Sequence, residues 1–419
     1  MERNGQKMKA LVLAGGFPQI ELINKLKSRG IKTVLADYYE HPVARDYANK
    51  FYRISTLDVD AIRQLAIDEK VDFIITVCTD QALLTMAKVS EELGLPTYID
   101  YKTAINSTNK AYMKKVFAEN NIPSAKFVIS GDFSELDLSG WKYPLIVKPV
   151  DCNSSKGVRR VGNKEELEAS FNDAVSLSRT NTAIIEEYIT GKELSIDVYV
   201  ENGNVRILDI TTSEKLKIKD RFIIFRTWHP ANVSRAVQDS IQKTAQKIAD
   251  AFGLKDSPML IQMLSDGEEA YVIEFSARTG GGVKHLSIES RTGVDIISAV
   301  IDLTLGEKPH LTVKEPQSKY MVDEYIYCKP GIFDHTEGFE ELKTEGYIKD
   351  YYVFCWKGTV FKSVASSGDR VGGFTIEGNT IEELREKHNK VISDVRIISE
   401  NGDDIMRRDL IMNFDDSEA

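Results

Sequence analysis

Residues 270–282 of this 419-residue chain read AYVIEFSARTGGG, a strand-forming run that ends in a glycine triplet. Tyr271, Val272, Ile273 and Phe275 are β-branched or aromatic and favour an extended strand; Gly280 to Gly282 end it with backbone freedom that other residues lack. Along the strand and its exit stand one carboxylate, Glu274, one hydroxyl, Ser276, and one guanidinium, Arg278. Three polar groups are thus delivered into a glycine-lined opening. Hard oxygen donors suit Mg²⁺, and a guanidinium suits a phosphate or a developing oxyanion. A surface hairpin with Glu274 in water would satisfy the same pattern, so the rest of the chain has to decide.

A chain this long exceeds one ordinary core and implies two to four domains. Hydrophobic residues at 42% and charged residues at 28% are the balance of a water-soluble globular protein. The formal net charge of −10 argues against a nucleic-acid partner while leaving room for a local basic pocket that takes phosphates. Cys78, Cys152, Cys328 and Cys355 are scattered without a CxxC pair, which excludes a zinc ribbon and argues against a disulfide framework. Only a short apolar run, Ala10 to Ala14, follows the N-terminus, and no stretch approaches the roughly 20 apolar residues of a membrane span. A cytoplasmic protein without membrane or nucleic-acid partners is expected.

The opening third alternates strands and helices. Lys9–Ala14 and Lys32–Ala36 read as buried strands around a helix closed by Gly30. Asp72–Val77 reads as a further strand between helices at Asp60–Glu69 and Gln81–Leu93. That alternation predicts a parallel, doubly wound sheet. Asp37 stands where a ribose-binding acid would make this a dinucleotide site, but the loop GGFPQ lacks the full G-x-G-x-x-G spacing. Gly15, Gly16 and Thr79-Asp80, at strand ends, can instead border a substrate pocket.

Chemistry accumulates in the middle. Ser107 or Thr108 is placed to cap a helix that carries Lys110 in its first turn, with Tyr112, Val116 and Phe117 on one face. The segment YPLIVKP is a buried strand bearing Lys148, which calls for an anion. Asp151 to Val158, DCNSSKGV, is a loop of small polar residues whose N–H groups can fold over phosphates, or a plain hairpin turn. The stretch AIIEEYITGKE places Glu186, Glu187 and Glu193 around a turn, where one carboxylate can take an amino group and another a sugar hydroxyl. Lys215, Lys217, Lys219, Arg221 and Arg226 then cluster, as an anion site or as a solvated basic face.

Taken in order, Lys110, YPLIVKP, SSKGV, EEYITGKE and IEFSARTGGG resemble the ATP-grasp superfamily over roughly Ser107 to Gly306, nearest to its carboxylate–amine ligases and to proteins of the biotin carboxylase and carbamoyl-phosphate synthase type. The resemblance implies an N-terminal doubly wound α/β domain (1–106), a two-lobed α+β grasp domain (107–308, lid about 124–190), a small C-terminal α+β domain (309–403) and a polar tail (404–419). It also implies ATP and Mg²⁺, with Mn²⁺ as a substitute. Lys110 and Lys148 would contact the nucleotide phosphates, and Ser154, Ser155 and Gly157 would belong to the lid. Glu186, beside Glu187 and with the backbone of Tyr188 and Ile189, would hold the adenine, and Glu193 the ribose. Glu274 would ligate the metal, with Gln262 and Ser276 completing its protein ligands, while Arg278 and Lys215 would act on the reacting groups. Two positions depart from the family pattern. Gln262 stands where a second acid is usual, and Ser276 stands where an Asn is usual.

The implied activity joins a small-molecule carboxylate to an amine through an acyl phosphate, giving ADP and phosphate. A bicarbonate-activating carboxylase is the alternative, though no biotin carrier segment is present; a non-catalytic nucleotide-binding regulator is another, motivated by Gln262. A homodimer is compatible with all three. In the C-terminal piece, strands are expected at Tyr320–Lys329, Lys349–Cys355 and Thr359–Ala365, and a helix at Thr380–Asn389. Arg370 there is expected to serve as structural support or to approach the substrate.

Overall fold

A computed structural model describes residues 2–3, 6–152, 157–218, 221–412 and 414. The opening α/β unit has a four-stranded, all-parallel sheet in the order Lys50–Arg53, Lys32–Asp37, Lys9–Leu13, Phe73–Ile75. Helices Phe17–Ser28, Val59–Glu69 and Asp80–Leu93 alternate with these strands. Leu11, Val12, Leu35 and Ile74 are wholly buried, as strands covered on both faces require. Helix Asp80–Leu93 ends at Gly94 in the left-handed conformation, φ 63°, that a residue with a Cβ resists. Asp37 does not offer its carboxylate to a ribose: its two oxygens accept the backbone N–H groups of Gly15 and Tyr39, each at 2.7 Å.

Helix Lys110–Glu119 is capped by Asn109, whose Oδ1 accepts from Tyr112 N at 3.0 Å. Ser107 and Thr108 cannot cap it because the preceding helix, Tyr101–Asn106, still engages them through N–H bonds to Thr103 O and Ile105 O. Its buried face is Lys110, Met113, Lys114, Val116 and Phe117; Tyr112 lies outside that face.

Residues 127–187 form a small antiparallel sheet in the order Phe127–Ser130, Ala183–Glu187, Leu145–Pro149, Arg159–Val161. Helix Lys164–Leu177 lays Leu167, Phe171 and Ala174 on Val147 and Ile185, giving this lobe its own core.

The remainder is built on one eight-stranded sheet. Its order runs Ala270–Ser276, Ser257–Ser265, Lys192–Glu201, Asn204–Lys215, Ile224–His229, Tyr320–Tyr327, Arg370–Gly378, Asp350–Val353. Strands on either side of residue 308 therefore share hydrogen bonds: Arg226 pairs with Glu324 and Trp228 with Val322. Helix Arg235–Ala251, absent from the expected elements, covers the sheet with Val237, Ile241, Ala245 and Ile248, all fully buried. Burying each of the Val and Ile side chains contributes roughly 1.5–3 kcal/mol.

Residues 404–412 are not a loose polar tail. Met406 bridges to Cys328, Arg226 Nη2 donates to Met412 O at 2.7 Å, and Phe414 packs on Trp228 with ring centroids 4.9 Å apart. The polar residues between those contacts had hidden the anchoring apolar ones. No helix of the described residues is long and apolar enough to cross a membrane.

Candidate active site

Strands Ser257–Ser265 and Ala270–Ser276 form an antiparallel hairpin with Gln262 directly opposite Glu274. Period-2 alternation buries Ile261 and Met263 while Gln262 faces the cleft. The register slips beside this pair, where Met263 pairs with Val272 and Ile273 is left over. That bulge sets Glu274 at the cleft surface.

Lys110 reaches Glu274 from its helix, Nζ to Oε2 at 2.8 Å, and also donates to Cys152 O at the start of the lid loop at 3.0 Å. Burial would lower the Lys110 ammonium, but Glu274 outweighs it and holds its pKa above the ordinary value. Deeper in, Lys148 lies on the lid strand opposite Ile184, and its Nζ meets Glu186 Oε2 at 2.6 Å. Lys114, which the sequence reading left out, meets the other oxygen of Glu186 at 2.7 Å. Its signal was available, since it sits one helical turn beyond Lys110 on the same face. Burial works to raise the Glu186 carboxyl, yet the two ammonium groups bring it down to about 2. Burial dominates at Lys114, whose pKa is lowered. Among the described residues, Lys110, Lys114 and Lys148 converge on this inner wall with Glu186 and Glu274, while Lys215, Glu187 and Glu193 line the rest of the cleft.

These side chains line an open cleft. Tyr188 and Ile189 fall between strands Ala183–Glu187 and Lys192–Glu201, so neither strand ladder consumes their backbone groups. Gly191 is obligatory here, because a Cβ would drive into Ser265 O. Glu193 and Lys215, on neighbouring strands, form an ion pair on the cleft wall, with Lys215 5.1 Å from the Phe222 ring centroid. Glu187 lines the same cleft but lies 3.9 Å from Lys126. Gly157 has φ 76°, and a Cβ there would meet Pro149 Cγ at 2.8 Å. Ser154, Ser155 and Lys219 lie outside the described residues.

At the other end of Lys110 a smaller cavity is lined by Asp80, Gln262, Glu274, Ser276 and Arg278. Gly15 and Gly16 are not among its lining residues. Ser276 Oγ donates to Asp80 Oδ1 at 2.6 Å, so its hydrogen is committed away from Glu274 while its lone pairs remain. Arg278 forks onto Asp80, Nε to Oδ1 at 2.5 Å and Nη2 to Oδ2 at 2.6 Å.

The basic cluster does not come together as one anion site. Arg226 is fully buried and neutralised by Glu324 at 2.7 Å, while Lys217 and Arg221 are exposed. Arg370 packs 3.7 Å from the Tyr325 ring centroid and donates to Ile224 O at 2.9 Å, a structural tie between strands.

One carboxylate and one carboxamide facing each other fit Mg²⁺, which binds through one or two carboxylates and completes its octahedron with phosphates and water. No cage of three His, Cys, Asp or Glu side chains exists among the described residues, so phosphate oxygens would have to supply the remaining ligands.

Residues 141–286 match the ATP-grasp domain, and residues 324–400 match the L-amino acid ligase C-terminal domain 2. The formate-dependent phosphoribosylglycinamide formyltransferase of Sulfurisphaera tokodaii is 24% identical over 412 residues, covering 92% of this chain and 96% of that protein. Among solved structures, the L-amino acid ligase from Bacillus licheniformis superposes with a TM-score of 0.78 at 22% identity, over 96% of this chain and 100% of that one. The biotin carboxylase domain of the Hydrogenobacter thermophilus 2-oxoglutarate carboxylase gives 0.77 at 20% identity, over 93% and 90%. The hairpin carrying Glu274, the strand carrying Lys148 and the turn at Tyr188 all fall within the matched residues, and the chain carries an ATP-grasp domain followed by an L-amino acid ligase C-terminal domain 2.

Proposed function

We propose that this chain activates a small carboxylate as its acyl phosphate and passes the acyl group to an amine, forming an amide with release of ADP and phosphate. The observation that carries this is the continuity of the two cavities. Lys110 and Glu274 line both, so a nucleotide in the larger one aims its terminal phosphate at the smaller one, where Arg278 stands.

Glu186, between Lys114 and Lys148, fixes both ammonium groups for the phosphates, and the Tyr188–Ile189 backbone takes the adenine edge. Glu193 takes the ribose, and Lys215 supplies positive charge on the wall beside it. Glu274 and Gln262 would hold Mg²⁺, which when bound neutralises charge on the β- and γ-phosphates. In the first step a carboxylate oxygen attacks the γ-phosphorus and the β–γ bridging oxygen leaves with ADP. In the second the amine nitrogen bonds to the acyl carbon, the acyl C–O bond breaks with its electron pair departing on phosphate, and the nitrogen gives up a proton to the released phosphate or to water. Arg278 neutralises oxyanion charge in both. The lid lobe closes the cleft against water, which would otherwise hydrolyse the acyl phosphate.

The match of residues 324–400 to an L-amino acid ligase C-terminal domain supports an amino acid as one substrate. The test is phosphate release from Mg-ATP across a panel of amino acids and small acids, paired with amines. Turnover that needs both partners is expected; none with any pair would favour a nucleotide-binding regulator, the role that neutral Gln262 suggests. Glu274→Gln is expected to cut turnover about 100-fold or more, since electrostatic stabilisation by a bound metal is worth several kcal/mol. Turnover unchanged in that variant would refute the metal assignment.

A further inference from the structure

Asp80 belongs to the N-terminal α/β unit, at the first turn of helix Asp80–Leu93, yet its carboxylate is spent on the exit of the catalytic strand. It receives the Arg278 fork and the Ser276 hydroxyl described above. Residues beside it grip the same segment. Cys78 N donates to Thr279 Oγ1 at 3.1 Å, and Tyr98 OH donates to Ala277 O at 3.3 Å. Arg278 Nη1 donates to Thr279 O at 2.7 Å.

A guanidinium carries five N–H donors in one plane. Among the described residues these contacts use three of them, one each on Nε, Nη1 and Nη2. One N–H on each terminal nitrogen is left for an oxyanion in the cavity that Arg278 shares with Lys110 and Glu274. A bidentate partner fixes the plane as well as the charge, which a monodentate contact does not. The two side chains are only 12% and 19% exposed, so water competes weakly for the fork.

We propose that Asp80 is a positioning residue for acyl transfer: it holds the Arg278 guanidinium in the one plane that presents its two remaining N–H groups to the acyl phosphate, and so makes the reaction depend on the N-terminal unit being seated against residues 276–279. This rests on the ligase reading, with Arg278 at the acyl phosphate. Asp80 touches no substrate in this role; it acts through Arg278.

The experiment is a double-mutant cycle on the full chain with an acid–amine pair that the wild type turns over. It measures kcat, the KM for ATP and amine, the Mg²⁺ requirement and Tm for Asp80→Asn, Asp80→Glu, Arg278→Ala and the Asp80→Asn/Arg278→Ala pair. Asp80→Asn is expected to lower kcat about 100-fold, the scale of a lost pre-organised donor, with the KM for ATP within about twofold of wild type. Asp80→Glu, which keeps the charge, is expected to recover part of kcat and gives the same kcat-against-KM readout should Asp80→Asn fold poorly. In the Arg278→Ala background, Asp80→Asn should cost nothing further, because its only route to the reaction is gone. Multiplying losses, or wild-type kcat in Asp80→Asn, would overturn the proposal. So would a raised Mg²⁺ requirement, marking Asp80 as a metal ligand, or a raised amine KM alone, marking it as an amine anchor. A wild type that turns over no acid–amine pair removes the ligase reading and this proposal together. Wild-type turnover with an indifferent Asp80 removes this proposal alone.

Discussion

Gln262 is the neutral residue of the proposed metal face, and the hairpin register shows the consequence. It stands directly across from Glu274, so a carboxylate there would place a second anion on the same metal face. Gln262→Glu is expected to lower the Mg²⁺ concentration for half-maximal activity about tenfold, given the strength of charge–charge interaction at partly buried sites. A titration of activity against Mg²⁺ reads it, and an unchanged midpoint would remove Gln262 from the metal's surroundings.

His285 presents a different residue-scale problem. It is 3% exposed, and among the described residues neither ring nitrogen finds a hydrogen-bond partner. Burial, with nearby Lys25 adding to it, lowers its pKa to about 4. The imidazole is therefore neutral in the fold at pH values where the unfolded chain binds a proton. The stability it allows is present in full above about pH 6.5 and falls progressively as pH drops to about 4, a loss on the order of 3 kcal/mol. His285→Leu is expected to flatten that part of the stability–pH curve, read as urea-unfolding free energies at pH 7 and pH 5. Equal slopes in both proteins would contradict it.

The lysines show how far single residues were legible. Lys110 and Lys148 were marked by their settings, one in a first turn and one inside an apolar strand. Lys114 follows from the helical period alone, one turn beyond Lys110 on the same buried face. Asp80 could be placed at a strand end beside a pocket, but nothing local says that it reaches Arg278, 198 positions away.

At the scale of elements, strands and helices with a clear period came out close to expectation, because propensity and burial agreed there. Lys32–Asp37, Asp80–Leu93 and Leu145–Pro149 are examples. Strand Lys50–Arg53 was missed because it lies at the edge of its sheet with no buried residue to give it a pattern. The glycine triplet repays closer attention. Gly282 has φ 66°, and a Cβ there would run into the Tyr325 hydroxyl from the strand Tyr320–Tyr327. Gly282→Ala is expected to destabilise by about 1–3 kcal/mol through combined strain and overpacking. Adding Tyr325→Phe, which deletes the colliding oxygen, should recover part of the loss in thermal melts. No recovery would place the whole cost in the backbone.

At the scale of the whole molecule, the eight-stranded sheet joins chain segments that the sequence divides near residue 308. Buried charges cross that junction: Arg226 with Glu324 at 2.7 Å, and His229 with Asp323 at 3.0 Å. Stripping away one partner of a buried pair costs about 3–5 kcal/mol, so losing Glu324 and Asp323 weakens the earlier strands even though Glu214 and Asp209 stay beside Arg226 and His229. Deleting residues 309–419 is therefore expected to yield a chain that aggregates or fails to give a cooperative melt. A soluble, cooperatively melting 1–308 fragment would show the junction to be dispensable.

The parallel opening sheet and the resemblance to the ATP-grasp domain were legible in the amino-acid sequence alone. Each of these is written in short-range patterns: strand runs, helix periods, glycine exits, and motifs fixed along the chain. Only the tertiary structure decided that Arg226 is a structural cation, that residues 404–412 are anchored, that the C-terminal strands extend the grasp sheet, and that Asp80 clamps Arg278. Those facts are contacts between residues far apart in sequence, chosen by packing and by the neutralisation of buried charge, and no local pattern encodes the partner.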